Sequence, residues 1–374
     1  MKKVYLDNAS TTALRPEVIQ EMTKILSEDY GNPSSTHSLG RNAKSILELA
    51  RKSIAKELNA SASEIIFTSC GTESNNWIMR SAIKDLKIER IITSKIEHHA
   101  VLHTALALES EFKTQIDYVN INSNGEVDLT HLVELLSDGK KTLVSLMHVN
   151  NETGVILDLE KVSQICQEHH ALFHSDTVQS IGKAKIDLQK NPIDFIVASA
   201  HKFHGPKGVG FAYLRKNSGL QPLFFGGEQE KGFRPGTEAV HQIAGMAKAL
   251  ELSCQNLEAE SNDIASLKNY TIEKLTEKLP GFKINGENTF YNLLNVTLPL
   301  DESKTAMILF HLDMKGIAVS RGSACQSGSI KPSHVLAEML TEEELKKPNI
   351  RISFSHYNTK EDIDMLIEGL KMLE

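Results

Sequence analysis

Residues 65–74 carry the sequence Ile-Ile-Phe-Thr-Ser-Cys-Gly-Thr-Glu-Ser, which predicts a short strand, a turn and the start of a helix. The first four residues form an apolar run with the length of a buried strand, and the small residues Ser69, Cys70 and Gly71 bound it. Upstream, apolar residues at helical spacing between Ala43 and Leu58 predict a helix. Helix, strand and helix therefore follow one another in this part of the chain.

The same alternation extends on both sides of this stretch. A helix begins at Pro16, where proline suits the first turn, and its apolar residues keep helical spacing as far as Leu26. Further strand-like runs, mostly separated by helical patterns, lie at residues 90–93, 116–121, 142–148, 171–175, 195–198 and 208–214. This order is typical of an α/β fold with a large, mostly parallel sheet and helices on both faces.

The pattern changes near residue 250. A long polar helical stretch over residues 250–279 is followed by strand-like residues 293–298, a helix near Met307, and short strands at 318–319 and 350–354. We interpret this part as a second, smaller α+β domain. The predicted boundaries are residues 15–258 for the large domain, and residues 1–14 with 259–374 for the small one.

Composition excludes several classes of function. The 374 residues include 41 Lys and Arg against 48 Asp and Glu, a formal net charge of -7 that provides no basic field for a phosphate backbone. No apolar stretch reaches the roughly 18 residues of a membrane span. Residues 1–3 lead directly into a strand-like segment, so we expect no signal peptide there. The four cysteines are scattered without a Cys-x-x-Cys pair, so no metal site is indicated. We expect a cytoplasmic protein that binds neither nucleic acid nor a membrane.

Polar residues follow four of the predicted strands, where ligands collect in open parallel sheets. Gly71 and Thr72 open a helix and suit a phosphate, or Thr72 is an ordinary helix cap. Asn151 follows the strand near residue 145, either in a turn or in a site. Asp176 follows the next strand, with Gln179 three residues on, and is either a helix cap or a charge placed in a pocket.

The fourth strand end carries Ser199, His201 and Lys202 before a Gly-Pro turn. These residues form either a solvated basic loop or an amine, a hydroxyl and an imidazole at the mouth of a cleft. Taken together, the four ends offer a phosphate cradle, an acid for a pyridinium nitrogen, amides for a phenolic oxygen and a lysine able to form an imine. That set fits pyridoxal phosphate.

On the basis of these residues, the chain resembles the class V aminotransferase superfamily of fold type I pyridoxal phosphate enzymes. Within that superfamily it resembles the NifS/IscS-like cysteine desulfurases. The resemblance covers nearly the whole chain. The motifs that carry it lie at residues 5–12, 31–37, 72–76, 97–98, 148–152, 176–179, 201–202, 234–237 and 322–325.

The resemblance implies a role for each cofactor-facing residue. Lys202 would bind the cofactor as an imine and move the Cα proton of the substrate. Asp176 would pair with the pyridine nitrogen. His98 would stack on the ring, and with Lys202 and Cys325 it is one of the three expected catalytic residues. Gln179 and Asn151 would hydrogen-bond the phenolic oxygen.

The resemblance also implies a phosphate site and a homodimer. Gly71, Thr72, Ser199 and His201 would hold the cofactor phosphate. Thr237 matches a phosphate ligand that reaches across from the partner subunit.

Two further residues concern the substrate. Arg351 matches the residue that binds the substrate carboxylate, for which a guanidinium is well suited. Cys325 lies among small polar residues between Arg321 and Pro332, a setting that fits an exposed, reactive thiol better than a structural cysteine. The segment resembles the long catalytic loop of the IscS-like group, and we place it in the small domain.

The resemblance therefore implies a desulfurase that converts L-cysteine to L-alanine and leaves a persulfide on Cys325 for an iron–sulfur scaffold or another acceptor. Cys325 would contact a scaffold cluster only transiently. The alternatives are a selenocysteine lyase, another class V aminotransferase, or a catalytically silent scaffold subunit. The presence of both Lys202 and Asp176 disfavours the silent subunit.

Overall fold

The computed structural model of the chain describes residues 2–322 and 333–373. None of the helices in these two ranges has the length and apolarity needed to cross a lipid bilayer. The helices of the described residues are α1 (Pro16–Glu28), α2 (Ser38–Glu57), α3 (Gly71–Leu86), α4 (His99–Phe112), α5 (Leu129–Leu136), α6 (Leu159–Glu168), α7 (Val240–Gln255), α8 (Leu257–Lys278), α9 (Ile308–Met314), α10 (His334–Ala337), α11 (Glu342–Lys346) and α12 (Lys360–Lys371).

The strands form one large sheet and two small ones. In chain order they are β1 (Val4–Tyr5), β2 (Ile65–Thr68), β3 (Arg90–Thr93), β4 (Gln115–Tyr118), β5 (Thr142–Ser145), β6 (Leu172–Asp176), β7 (Phe195–Ser199), β8 (Gly210–Leu214), β9 (Lys283–Ile284), β10 (Leu293–Thr297), β11 (Ile317–Ala318) and β12 (Asn349–Ser353). The large sheet has seven strands in the order β2-β8-β7-β6-β5-β3-β4.

Strand β8 is antiparallel to both of its neighbours, β2 and β7, and the other pairs of the large sheet are parallel. Strand β8 returns beside β7 after the short connection of residues 200–209, which is too short for the helical crossover that a parallel pair requires. The α/β class with a mostly parallel sheet is confirmed, and the carboxyl ends of the six remaining strands meet at one edge.

Both faces of the large sheet are buried. Adjacent residues of a strand point to opposite faces, so Ile66 packs in one apolar cluster with Trp77 of α3, while Phe67 packs in another with Ile54 of α2. The short apolar strands are thus buried on both sides, as expected for a parallel sheet covered by helices.

A separate apolar cluster forms the core of the C-terminal part. It joins Val4 and Leu6 to residues between 264 and 373, including Leu294 of β10 and Ile352 of β12. These strands pair in the order β12-β10-β9, and β1 pairs with β11. The N-terminal residues therefore pack with the C-terminal part, and the predicted domain boundaries stay a prediction.

The single long helix predicted over residues 250–279 is wrong. Helix α7 ends at Gln255 and α8 begins at Leu257. At Asn256 between them, the side-chain amide donates a 2.8 Å hydrogen bond to the carbonyl of Leu252. Asparagine side chains compete with the backbone for such bonds, and two helices replace one.

Candidate active site

A cavity of about 230 Å³ lies at the carboxyl edge of the large sheet. Lys202, Asp176 and Gly71 reach it from the ends of β7, β6 and β2, because parallel strands bring their carboxyl ends together. Ten of the predicted site residues line it: Gly71, Thr72, His98, Asn151, Asp176, Gln179, Ser199, His201, Lys202 and Arg351.

Lys202 stands in the short 3-10 turn that follows β7. Its Nζ donates to the carbonyl oxygens of Ala9 at 2.7 Å and Ser10 at 2.9 Å. Ala9 and Ser10 therefore line one side of the cavity and hold the amine inside it. Sequence reasoning missed these two carbonyls, because a backbone acceptor has no sequence signature.

Asp176, the last residue of β6, is buried and held by two donors. Its Oδ1 accepts a hydrogen bond from the backbone N–H of Val178 at 3.0 Å, and its Oδ2 accepts one from Nδ2 of Asn75 at 2.8 Å. Asn75 was missed as a site residue. It could have been found, because it lies four residues after Gly71 in α3 and so falls on the same face of the helix.

The N-terminus of α3 borders the cavity through Gly71 and Thr72. No side chain caps the helix at Cys70, and the N–H of Gly71 donates to Oγ of Ser199 at 2.7 Å. A Cβ on Gly71 would lie 2.6 Å from Cγ2 of Val178, so a larger residue does not fit there. A helix N-terminus with a free approach is suited to bind an anion such as phosphate.

Two histidines of the site are neutral near pH 7. Burial lowers the pKa of His98, and the nearby Asp176 carboxylate opposes that shift only in part. Nδ1 of His98 accepts a hydrogen bond from the N–H of Ala100 at 3.1 Å, which places the ring proton on Nε2. Burial, together with the positive charge of Lys202, lowers the pKa of His201 to about 4.

The two predicted amides differ in how they are held. Nε2 of Gln179 donates to the carbonyl of Ala9 at 2.9 Å. Oδ1 of Asn151 is buried without a hydrogen-bond partner among the described residues. A buried polar atom without a partner is costly, so this amide is placed for a ligand group.

Arg351, in β12, is almost completely buried and hydrogen-bonds to residues from two other parts of the chain. Its Nη1 donates to the carbonyl of Asn151 at 2.8 Å. Its Nη2 donates to Oδ1 of Asp7 at 2.8 Å and to Oγ of Ser10 at 2.6 Å. Nε is buried and has no partner within residues 2–322 and 333–373. The ion pair with Asp7 was not predicted.

Thr237 lies away from this cavity. It is exposed and lines a second cavity, of about 190 Å³, together with Ser69 and Arg234. Nε of Arg234 pairs with Oε1 of Glu73 in the first turn of α3, at 3.0 Å. Cys325 lies outside the described residues.

The donors and acceptors around the main cavity fit pyridoxal phosphate. The cavity combines an uncapped helix N-terminus behind Gly71, a hydrogen-bonded carboxylate at Asp176, an unpartnered amide oxygen on Asn151 and an amine on Lys202. Each of these groups matches one polar function of that cofactor, and His98 supplies a flat ring beside them.

Comparison with known proteins gives a consistent result. Residues 4–366 match the family model described as aminotransferase class-V. A curated relative named cysteine desulfurase IscS, from Dictyoglomus turgidum, is 41% identical over 377 residues, which cover 100% of this chain and 94% of the relative.

Solved structures agree with the fold. One of a NIFS-like protein superposes with a TM-score of 0.90 at 37% identity and covers 99% of each chain. Another, of SspA in complex with cysteine, has a TM-score of 0.81 at 33% identity and covers 95% of this chain and 100% of its own.

Proposed function

We propose that this chain, which belongs to the class V aminotransferase family, is a cysteine desulfurase that uses pyridoxal phosphate. The reaction converts L-cysteine and an enzyme thiol to L-alanine and an enzyme persulfide. The carbon–sulfur bond of cysteine breaks, and a sulfur–sulfur bond forms on the protein. The observation that carries this proposal is the meeting of Lys202, Asp176 and Arg351 at one cavity.

When bound, pyridoxal phosphate supplies an electron sink for the electron pair left at the substrate Cα. The negative charge of Asp176 would hold the proton on the pyridine nitrogen. Hydrogen bonds to both of its carboxylate oxygens fix the orientation of the side chain. Gln179 and Asn151 would contact the phenolic oxygen, and the flat ring of His98 would cover one face of the pyridine.

The phosphate would lie at the N-terminus of α3. Gly71 and Thr72 supply the helix end, and Ser199 and His201 lie beside it on the strand end of β7. This assignment is supported by the uncapped helix N-terminus, whose N–H groups and dipole favour a dianion.

Lys202 would bind the cofactor and move the proton at Cα of the substrate. The carbonyls of Ala9 and Ser10 accept hydrogen bonds from the Lys202 amine and would stabilise its protonated form. Arg351 would bind the substrate carboxylate through N–H groups not used by Asp7 or Ser10. The solved complex of SspA with cysteine supports this choice of substrate.

We assign the sulfur-accepting thiol to Cys325. The enzyme would act as a homodimer in which Thr237 completes the phosphate site of the partner subunit. The persulfide would then pass to an iron–sulfur scaffold protein or to another thiol acceptor.

The test is an assay of alanine and sulfide formed from L-cysteine with dithiothreitol as the final acceptor. We expect the wild type to form the two products in equal amounts and Lys202→Ala to form neither. Borohydride should attach the cofactor to the wild type but not to Lys202→Ala. Turnover of selenocysteine with none of cysteine would instead identify a selenocysteine lyase.

A further inference from the structure

Lys183 lies beside Gln179, four residues further along the chain, in the irregular turns that follow β6. Its Nζ is 3.5 Å from Oε1 of Gln179, and Nε2 of the same amide donates to the carbonyl of Ala9 at 2.9 Å. That carbonyl also accepts a hydrogen bond from Lys202. The two lysines are therefore linked through one amide and one carbonyl.

This arrangement permits one orientation of the Gln179 amide. In the observed orientation, the donor Lys183 faces the amide oxygen and the acceptor Ala9 faces the amide N–H₂ group. A flipped amide would place two donors together and two acceptors together. Because an amide nitrogen carries two hydrogens, the second N–H of Gln179 remains for the cavity that this residue lines.

The local backbone holds Lys183 in this place. The turn from Ser180 passes through Gly182, whose φ of 72° lies in the left-handed region that favours glycine. The N–H of Lys183 donates to the carbonyl of Ser180 at 2.9 Å, and its own carbonyl accepts from the hydroxyl of Tyr291 at 3.1 Å.

Lys183 forms no ion pair with any residue that the structure describes. A small cavity of about 20 Å³ that it lines also contains Glu260, His204 and His356, but Glu260 pairs with Arg15 at 2.7 Å. Burial, with the charge of Lys202, lowers the pKa of Lys183 to about 7. The amine carries N–H donors in either protonation state, so its contact with Gln179 persists on both sides of pH 7.

We propose that Lys183 is a positioning residue that fixes the amide of Gln179 with its N–H₂ group directed at the cofactor site. The proposal rests on the proposed function, because it assigns that N–H to the phenolic oxygen of pyridoxal phosphate. Without Lys183, the Gln179 amide can rotate and present its oxygen to the negatively charged phenolic oxygen, where the two oxygens would repel each other.

The test is a double-mutant cycle on cofactor affinity, measured by titrating apoprotein with pyridoxal phosphate. We expect Lys183→Met and Gln179→Leu each to weaken binding about 10-fold, as for the loss of a hydrogen bond to a charged group. The double variant should bind no worse than Gln179→Leu alone. Lys183→Arg, which keeps a donor, should recover most of the affinity.

A spectroscopic readout separates positioning from general structural damage. The pH midpoint of the visible band of the bound cofactor should move in the same direction in Lys183→Met and Gln179→Leu, because both lose the same donor. Lys185→Met, the same substitution at an exposed lysine two residues along the chain, should change neither the affinity nor the midpoint. If Lys183→Met does not fold, Lys183→Ala takes its place in the cycle.

Additive losses in the double variant, or an unchanged midpoint in Lys183→Met, would overturn the role of Lys183. Neither result depends on turnover, so the proposed function would stand. If the wild type binds pyridoxal phosphate but forms no alanine, the proposed function is wrong. The double-mutant cycle would still test the role of Lys183, because it measures cofactor binding only.

Discussion

The side-chain amide of Asn75 donates a hydrogen bond of 2.8 Å to Oδ2 of Asp176, and both residues are almost completely buried. This contact ties the first turns of α3, where we propose that the phosphate binds, to the carboxylate at the end of β6. The same helix therefore serves the two polar ends of the proposed cofactor. We therefore expect Asn75 to act on the cofactor only through Asp176, by holding its carboxylate in place.

We predict that Asn75→Leu lowers kcat for cysteine about 10- to 100-fold, since a lost hydrogen bond to a buried charge has that magnitude. The KM for cysteine should change little, because Asn75 holds Asp176 and not the substrate. Asn76→Leu, the neighbouring asparagine whose amide donates to the carbonyl of Thr72, is the matched control. Equal losses in both variants would contradict the positioning role.

Arg351 and Asp7 form a second pair whose function can be tested. Arg351→Lys should raise the KM for cysteine about 10-fold or more, because a single ammonium cannot reach Asp7, Ser10, Asn151 and a substrate carboxylate together as the planar guanidinium can. Asp7→Asn removes the negative charge beside Arg351 but leaves the guanidinium in place. The KM should stay within about 3-fold of wild type, the size of effect expected for the loss of a weak ion pair. Steady-state kinetics with cysteine measures both.

A KM for Asp7→Asn as high as that of Arg351→Lys would mean that Arg351 only fastens the N-terminal residues. Thermal unfolding of both variants checks that the fold is retained.

Cofactor binding and dimer formation should be linked through Thr237. A ligand completed by both subunits stabilises the dimer, so pyridoxal phosphate should shift the monomer–dimer equilibrium toward the dimer in sedimentation experiments. Thr237→Ala should reduce this shift, whereas Thr276→Ala, at an exposed position on α8, should not. A monomer that holds the cofactor as tightly as the dimer would contradict the shared site.

Acid should destabilise the fold through buried histidines. Burial lowers the pKa of His174 to about 4, and the pKa of His148 also falls to about 4. The unfolded chain, with histidine pKa values near 6.5, binds protons between pH 6.5 and 4 that the folded chain does not. The free energy of unfolding should therefore fall as the pH is lowered through that window.

Urea unfolding between pH 7 and 5 measures this slope. In His174→Asn the slope should be shallower by at most about 1.4 kcal/mol per pH unit, the contribution of one titrating group. His170→Asn, the same substitution at an exposed histidine four residues earlier, should leave the slope unchanged. A His174→Asn slope equal to that of wild type would show that His174 is not protonated on unfolding.

Part of the site could be predicted from local pattern. Lys202, Asp176 and Gly71 each follow an apolar run, and the rule that parallel strands end at one edge is enough to bring them together. Periodicity alone does not give the direction of β8; the sequence signal for its reversal is the short connection after β7, which has no room for a helical crossover. Nor could periodicity locate the break at Asn256, where one side chain ends a helix.

Long-range contacts account for what local pattern missed. Asp7 meets Arg351 only because the N-terminal residues pack against β12, and no spacing along the chain encodes that pairing. Lys183 is one of many lysines in the sequence, and its contact with Gln179 depends on the turn at Gly182. Such relationships require coordinates.

The proposed sulfur transfer is tested most directly by intact-mass measurement after incubation with L-cysteine and no thiol acceptor. We predict that the wild type gains ~32 Da, one sulfur atom on Cys325, and forms alanine in equal amount, since sulfur transfer requires a nucleophilic thiol. Cys325→Ser should gain no mass and release almost no alanine, while still binding pyridoxal phosphate. Alanine formation by Cys325→Ser at the wild-type rate would contradict the desulfurase mechanism.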